Sequence, residues 1–174
     1  AKICVSVTAQ TTAKLVEVIK ECERKGADLI EIRMDYLQEA PDVVYMRRLT
    51  SLPLIATDRP EREGGMFRGT EEKRISYLFE AASAGFEYVD LELEAPMIGE
   101  LTKKLKKESK AKLIISHHDF QSTPSLGRLI QVFREEADVG ADVCKIVTMA
   151  NTFEDNLTSL QFTARASKIK DVIC

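Results

Sequence analysis

The sequence predicts an α/β fold, a (β/α)8 barrel in which each parallel strand is followed by a helix. Three observations carry that expectation. Apolar strand patterns alternate strictly with helical patterns along the 174 residues, the mark of successive βα units. A short block recurs as Gly26-Ala27-Asp28-Leu29-Ile30-Glu31, Gly85-Phe86-Glu87-Tyr88-Val89-Asp90 and Gly140-Ala141-Asp142-Val143-Cys144-Lys145. Each glycine follows a helical pattern and suits the left-handed position that ends a helix. These glycines stand 59 and 55 residues apart, two units each, so that eight units of about 28 residues need roughly 225, an ordinary barrel size. By that arithmetic residues 1–174 form a single barrel domain that is C-terminally incomplete, lacking its last one to two βα units. An open doubly wound sheet competes. The first βα turn, Thr8 to Thr11, has no glycine-rich phosphate fingerprint, which weighs against a nucleotide-binding open sheet.

The elements follow in order. The first strand covers Ile3 to Val7. The first helix, Thr12 to Lys25, places Leu15, Val16, Ile19, Cys22 and Glu23 on one stripe with a period near 3.6. Leu29 to Arg33 forms the second strand, and a short helix covers Asp42 to Leu49 after Pro41. Leu54 to Thr57 forms the third strand, followed by a polar loop, Asp58 to Thr70, that contains Gly64, Gly65 and Gly69. The third helix is Glu71 to Ala84 and the fourth strand Tyr88 to Leu93. The fourth helix, Met97 to Glu108, carries Lys103, Lys104, Lys106 and Lys107, read as a solvated face. Lys112 to His117 forms the fifth strand. The fifth helix runs from Pro124 to Ala137, with Thr123 as N-cap and Pro124 at the first helical position. Val143 to Val147 forms the sixth strand, Phe153 to Ala166 the sixth helix behind Thr152 or Asn151, and Val172-Ile173-Cys174 opens a seventh strand.

Composition excludes several classes. Hydrophobic residues make up 44% and charged residues 30%, which gives one soluble domain with a sizeable core. A net charge of −3 argues against a nucleic-acid surface. No apolar stretch is long enough to span a bilayer, and Ala1-Lys2 leads straight into a strand, with no signal peptide. Cys4, Cys22, Cys144 and Cys174 lack metal-ligand spacing and read as reduced, mostly buried side chains of a cytosolic protein.

The ionisable residues supply the chemistry. Lys145 closes an apolar strand, where an ammonium is costly unless paired or neutral. A desolvated lysine attacks a ketone to form an imine. Five residues past each repeat glycine stand Glu31, Asp90 and Lys145. Side-chain alternation turns Glu31 and Arg33, Asp90 and Glu92, and Lys145 away from the helices. Glu31, Asp90 and Lys145 are expected to share one layer at the C-terminal mouth, where barrel enzymes keep their chemistry. A purely structural salt-bridged layer is the alternative. The only histidines, His117 and His118, end the strand beside that of Lys145. One of the two faces the mouth as a base with a pKa near neutrality. Arg59 and Arg62 in the loop after the third strand suit a carboxylate substrate, against the alternative of a solvated charged loop.

These residues resemble the type I 3-dehydroquinate dehydratase family over all 174 residues. The resemblance rests on Lys2-Ile3-Cys4-Val5, on Asp28 to Asp35, and on Arg59 followed by Glu63-Gly64-Gly65. It rests also on Ser116-His117-His118-Asp119-Phe120 and on Val143 to Met149. Any one motif is weak; five in order are specific. The resemblance implies a TIM-type (β/α)8 barrel, a homodimer, and a lyase that dehydrates 3-dehydroquinate to 3-dehydroshikimate. It implies Lys145 as the imine lysine, His118 as the general acid/base and Glu63 as the group that orients His118. Glu31, Arg33 and Arg59 would contact substrate, with no metal or dissociable cofactor. Its seventh-strand arginine and its serine and glutamine near an eighth strand fall outside the 174 residues, so part of the substrate clamp is missing from them. Two rivals remain: another imine-forming barrel such as a class I aldolase, and an inactive barrel fragment acting as an interaction module.

Overall fold

Parallel strands and helices alternate through a computed structural model that describes residues 2–174. The strands are β1 (Cys4–Thr8), β2 (Leu29–Arg33), β3 (Leu54–Thr57), β4 (Tyr88–Glu92), β5 (Lys112–Asp119), β6 (Val143–Thr148) and β7 (Asp171–Ile173). The helices are α1 (Thr12–Arg24), α2 (Val43–Arg47), α3 (Glu71–Ala84), α4 (Ile98–Glu108), α5 (Leu126–Asp138) and α6 (Phe153–Ala166). The seven strands follow sequence order in one sheet. The backbone forms two compact units, one from the described residues up to Asp90 with Leu105–Ala111, and one from Leu91–Lys104 with Lys112–Cys174.

The repeat has a structural logic beyond its glycines. Gly26, Gly85 and Gly140 take φ of 81°, 96° and 104°, the left-handed exit from a helix. The acidic residue two positions later then accepts a backbone N–H from the start of the preceding strand. Ile3 N donates to Asp28 Oδ2 (2.6 Å), Leu54 N to Glu87 Oε2 (2.8 Å) and Leu113 N to Asp142 Oδ2 (2.8 Å). In each repeat that bond ties the entry of one strand to the residues leading into the next.

In the first unit, Leu15, Ile19 and Cys22 of α1 are buried, as their helical spacing predicts. Thr11 and Asp42 cap α1 and α2 by accepting from Lys14 N and Tyr45 N. Strand β2 buries Ile30 and Ile32 and leaves Glu31 and Arg33 half-buried on the other face. Register pairs Arg33 with Thr57, and Thr57 with Asp90. Asp90 therefore lies level with Arg33, while Glu31 pairs with Ile55, two residues earlier. Glu31 and Asp90 therefore stand on different rows of the register.

In the second unit, β5 extends two residues further than expected and takes in both histidines and Asp119. Helix α5 starts at Leu126 behind Ser125, whose hydroxyl accepts from Arg128 N. Thr123 does not cap it. Its hydroxyl bonds to the end of β6, 3.0 Å from both Thr148 Oγ1 and the Met149 carbonyl. Helix α6 matches its expected bounds, with Thr152 as N-cap and Asp155 accepting from Thr152 N and Asn151 N. None of the four cysteines forms a disulfide. Cys4 and Cys174 are exposed, against the expectation of mostly buried thiols, because each sits at an end of a strand pattern. Burial, with the Glu136 carboxyl beside it, pushes the Cys144 thiol up to about 12, which makes it unreactive.

Gly65 is required by a close approach. The chain folds back so that Gly65 N donates to the Pro60 carbonyl and Phe67 N to the Arg59 carbonyl. A Cβ on Gly65 would lie 2.0 Å from the Arg59 oxygen. Gly99, in α4, faces open space. Gly65→Ala should therefore destabilise by about 2–3 kcal/mol, while Gly99→Ala should stabilise by about 0.5 kcal/mol. Urea unfolding of the two variants checks the contrast.

Candidate active site

Within the first unit, β2, β3 and the loop after β3 assemble a polar cluster. Glu31 accepts a 2.8 Å bond from Thr57 Oγ1. Arg33 forks onto Asp35, with Nε 2.8 Å from Oδ1 and Nη2 2.7 Å from Oδ2. Its guanidinium also lies 5.0 Å from the centroid of the Tyr36 ring. Burial works against the Arg33 charge, but the bonds and charge of Asp35 outweigh it and hold the pKa above its ordinary value. Arg59 is only 3% exposed and donates from Nη2 to Asp90 Oδ1 at 2.8 Å. Glu63, half-buried, ends the 3₁₀ turn Glu61–Glu63. Arg59 and Arg62, both candidates for a carboxylate substrate, make different contacts. Arg62 turns to Glu71 at 3.3 Å, on an exposed ion pair that contributes little.

Within the second unit, register settles which histidine shares a face with the lysine. Ser116 pairs with Lys145, His117 with Ile146 and His118 with Val147. Residues paired across parallel strands point the same way, and side chains alternate along each strand. Lys145, Ser116 and His118 therefore share one face. Cys144, on the opposite face, has its Sγ 3.8 Å from the Phe133 carbonyl of α5, which marks that face as the helix-covered one. Lys145 and His118 are diagonal neighbours, about 8 Å apart at Cα by strand spacing and rise. That gap lets a small molecule touch both side-chain tips.

Local chemistry sets the histidine rings. Asp119 accepts from the backbone N–H groups of Gln121 and Ser122, both at 2.9 Å. Those bonds hold its pKa below the usual carboxylate range and fold the chain back after the strand. Phe120 then stacks on His118, with ring centroids 5.6 Å apart and planes 14° from parallel. His117 is engaged by Glu94, with Nδ1 2.5 Å from Oε1. Burial pushes the Glu94 carboxyl up, but the His117 contact prevails and leaves its pKa below 4.5.

The first unit thus brings Glu31, Arg33, Arg59 and Glu63 onto neighbouring elements, and the second brings Lys145 and His118 together. Asp35, Thr57, Glu94 and Ser116 went unassigned in the sequence. Asp35 left one signal, an Arg-x-Asp spacing at the end of a strand. Among the described residues, no group of three or more His, Cys, Asp or Glu side chains could hold a metal ion. No helix among them is long and apolar enough to cross a membrane.

Known proteins match this chain in sequence and in fold. A family model described as Type I 3-dehydroquinase matches residues 3–174. A 3-dehydroquinate dehydratase of Desulfotalea psychrophila is 38% identical over 168 residues, 96% of this chain and 73% of that protein. Another, of Dehalococcoides mccartyi, is 36% identical over 161 residues, 91% of this chain and 67% of that protein. The crystal structure of a type I 3-dehydroquinate dehydratase from Clostridium difficile, solved with covalently modified comenic acid, has a TM-score of 0.90. It is 27% identical, and the match covers 99% of this chain and 73% of that one. Fold and matches define a parallel α/β enzyme of the lyase class. The chain belongs to the type I 3-dehydroquinase family.

The lowered Glu94 pKa has a definite sign. A carboxylate depressed by folding stabilises above its unfolded pKa, and that contribution is lost as pH falls through the folded value. Wild type should therefore exceed Glu94→Gln in Tm at pH 6, with the gap closing below pH 4.5. Thermal melts at pH 6 and pH 3 check this.

Proposed function

We propose that the protein dehydrates 3-dehydroquinate to 3-dehydroshikimate through an imine on Lys145. One observation carries the reading beyond family membership: Lys145 and His118 share a face across the β5–β6 register. The neutral Lys145 amine attacks the substrate ketone, and loss of water from the adduct gives the imine. The imine is an electron sink that acidifies the neighbouring C–H bond. His118 takes that proton, then returns it to the departing hydroxyl, so the C–O bond breaks as the alkene forms. Water hydrolyses the product imine and restores Lys145.

The remaining residues hold the reactants. Glu63 orients His118. Glu31, Arg33 and Arg59 contact the hydroxyls and carboxylate of the substrate, with arginine suited to paired bonds with a carboxylate. The bond from Arg59 to Asp90, 2.8 Å long, holds that guanidinium in place. The imine formed on the lysine supplies the electron sink, and the reaction calls for no metal or dissociable cofactor. The same reading takes the working enzyme as one TIM-type (β/α)8 barrel, a homodimer acting in the cytoplasm on a small-molecule substrate.

Borohydride trapping during incubation with 3-dehydroquinate tests the proposal. Peptide mapping should place the reduced adduct on Lys145, and Lys145→Ala should abolish both the adduct and the rise in enone absorbance. His118→Ala should still form the adduct while turnover falls about 10²–10⁴-fold. A folded protein that yields no adduct at Lys145, or a His118→Ala variant with full turnover, contradicts the assignment.

A further inference from the structure

Asp35 sits where two parts of the proposed site join. It follows β2 in the 3₁₀ turn Met34–Tyr36, and its side chain is fully buried. A buried carboxylate is costly unless its oxygens are bonded. Here Oδ1 accepts from Arg33 Nε (2.8 Å), and Oδ2 accepts from Arg33 Nη2 (2.7 Å) and from the backbone N–H of Met66 (3.0 Å). Met66 directly follows Glu63-Gly64-Gly65.

The loop that carries Glu63 is therefore held at three successive residues. Gly65 N donates to Pro60 and Phe67 N to Arg59, both backbone carbonyls of the loop's own entry. Between them Met66 N reaches a side chain on another element. The first two bonds shape the loop, and only the third of these ties it to the turn that follows β2. The same carboxylate occupies the Nε–Nη2 edge of Arg33, which fixes the guanidinium plane and leaves Nη1 outside the fork.

We propose that Asp35 is a positioning residue that sets Arg33 and the Glu63 loop in register with each other through one shared carboxylate. The inference rests on the reading of Arg33 as a substrate contact and Glu63 as the partner of His118. Loss of the carboxylate frees the Arg33 fork, which weakens substrate binding. It also releases the loop, which slows the proton transfers.

The test is a pair of double-mutant cycles in the full protein, scored per folded molecule. Asp35→Asn should raise KM about tenfold and lower kcat about tenfold, as misplacement of binding and catalytic groups does. In an Arg33→Ala background the KM effect of Asp35→Asn should vanish, and in a Glu63→Gln background its kcat effect should vanish. A merely structural role would lower Tm and leave both effects additive, and that result overturns the proposal. If Asp35→Asn does not fold, Asp35→Glu keeps the charge and moves it by one methylene. It should raise KM and lower kcat in the same sense, and unchanged constants overturn the proposal. Borohydride trapping on the wild type separates the two failures. No adduct at Lys145 ends the dehydratase reading and the role of Asp35 with it, whereas a normal adduct with additive cycles ends the role of Asp35 alone.

Discussion

Parallel register between β5 and β6 is the constraint on which the proposed chemistry depends. Pairing Ser116 with Lys145 puts the lysine and His118 on the same face. A slip of one residue would turn the lysine into the helix layer and give its place to Cys144 or Ile146. That register is anchored at its entry. Asp142, three residues before Lys145, accepts from Leu113 N and donates its own N–H to the Leu113 carbonyl, both at 2.8 Å. The acidic residue of each repeat is thus structural, and the ionisable residue three positions later is free to differ in chemistry: glutamate, aspartate and lysine in turn.

The two histidines show how neighbouring residues acquire different environments. His117 faces away from the lysine and is held by Glu94 at 2.5 Å. His118 is stacked on Phe120, which Asp119 brings round by taking two backbone N–H groups. The His-Asp-Phe motif is therefore one device in three parts: an imidazole, a turn former and an aromatic support. A ring with its plane fixed loses less freedom on meeting a substrate. In the first unit the same economy appears at Asp35, where one carboxylate fixes both a guanidinium and a loop.

Alternation of strand and helix was legible because apolar periodicity and helix-ending glycines are local signals. The bounds of β2, β3, α3 and α6 match the sequence reading for that reason. What depended on distant partners was not legible. Thr123 has the right chemistry for an N-cap, yet its hydroxyl is taken by the end of β6, and Ser125 caps α5 instead. Arg59 and Arg62 look alike in a charged loop, but Asp90 buries one and Glu71 draws the other to the surface. Glu31, Arg33 and Lys145 stood out because ionisable groups in apolar strands are rare, whereas Glu63, in a polar loop, was picked out only by the family resemblance. Their supports, Asp35, Thr57 and Glu94, are ordinary polar residues whose roles come only from what they touch.

The most direct measurement is a crystal structure of the full protein after borohydride reduction in the presence of 3-dehydroquinate. The account predicts a single reduced C–N bond at Lys145, with the His118 imidazole on the same side and within about 3.5 Å of the ligand, allowing for loose catalytic geometry. A ligand joined to another side chain, or a His118 ring turned away from a ligand on Lys145, would contradict it.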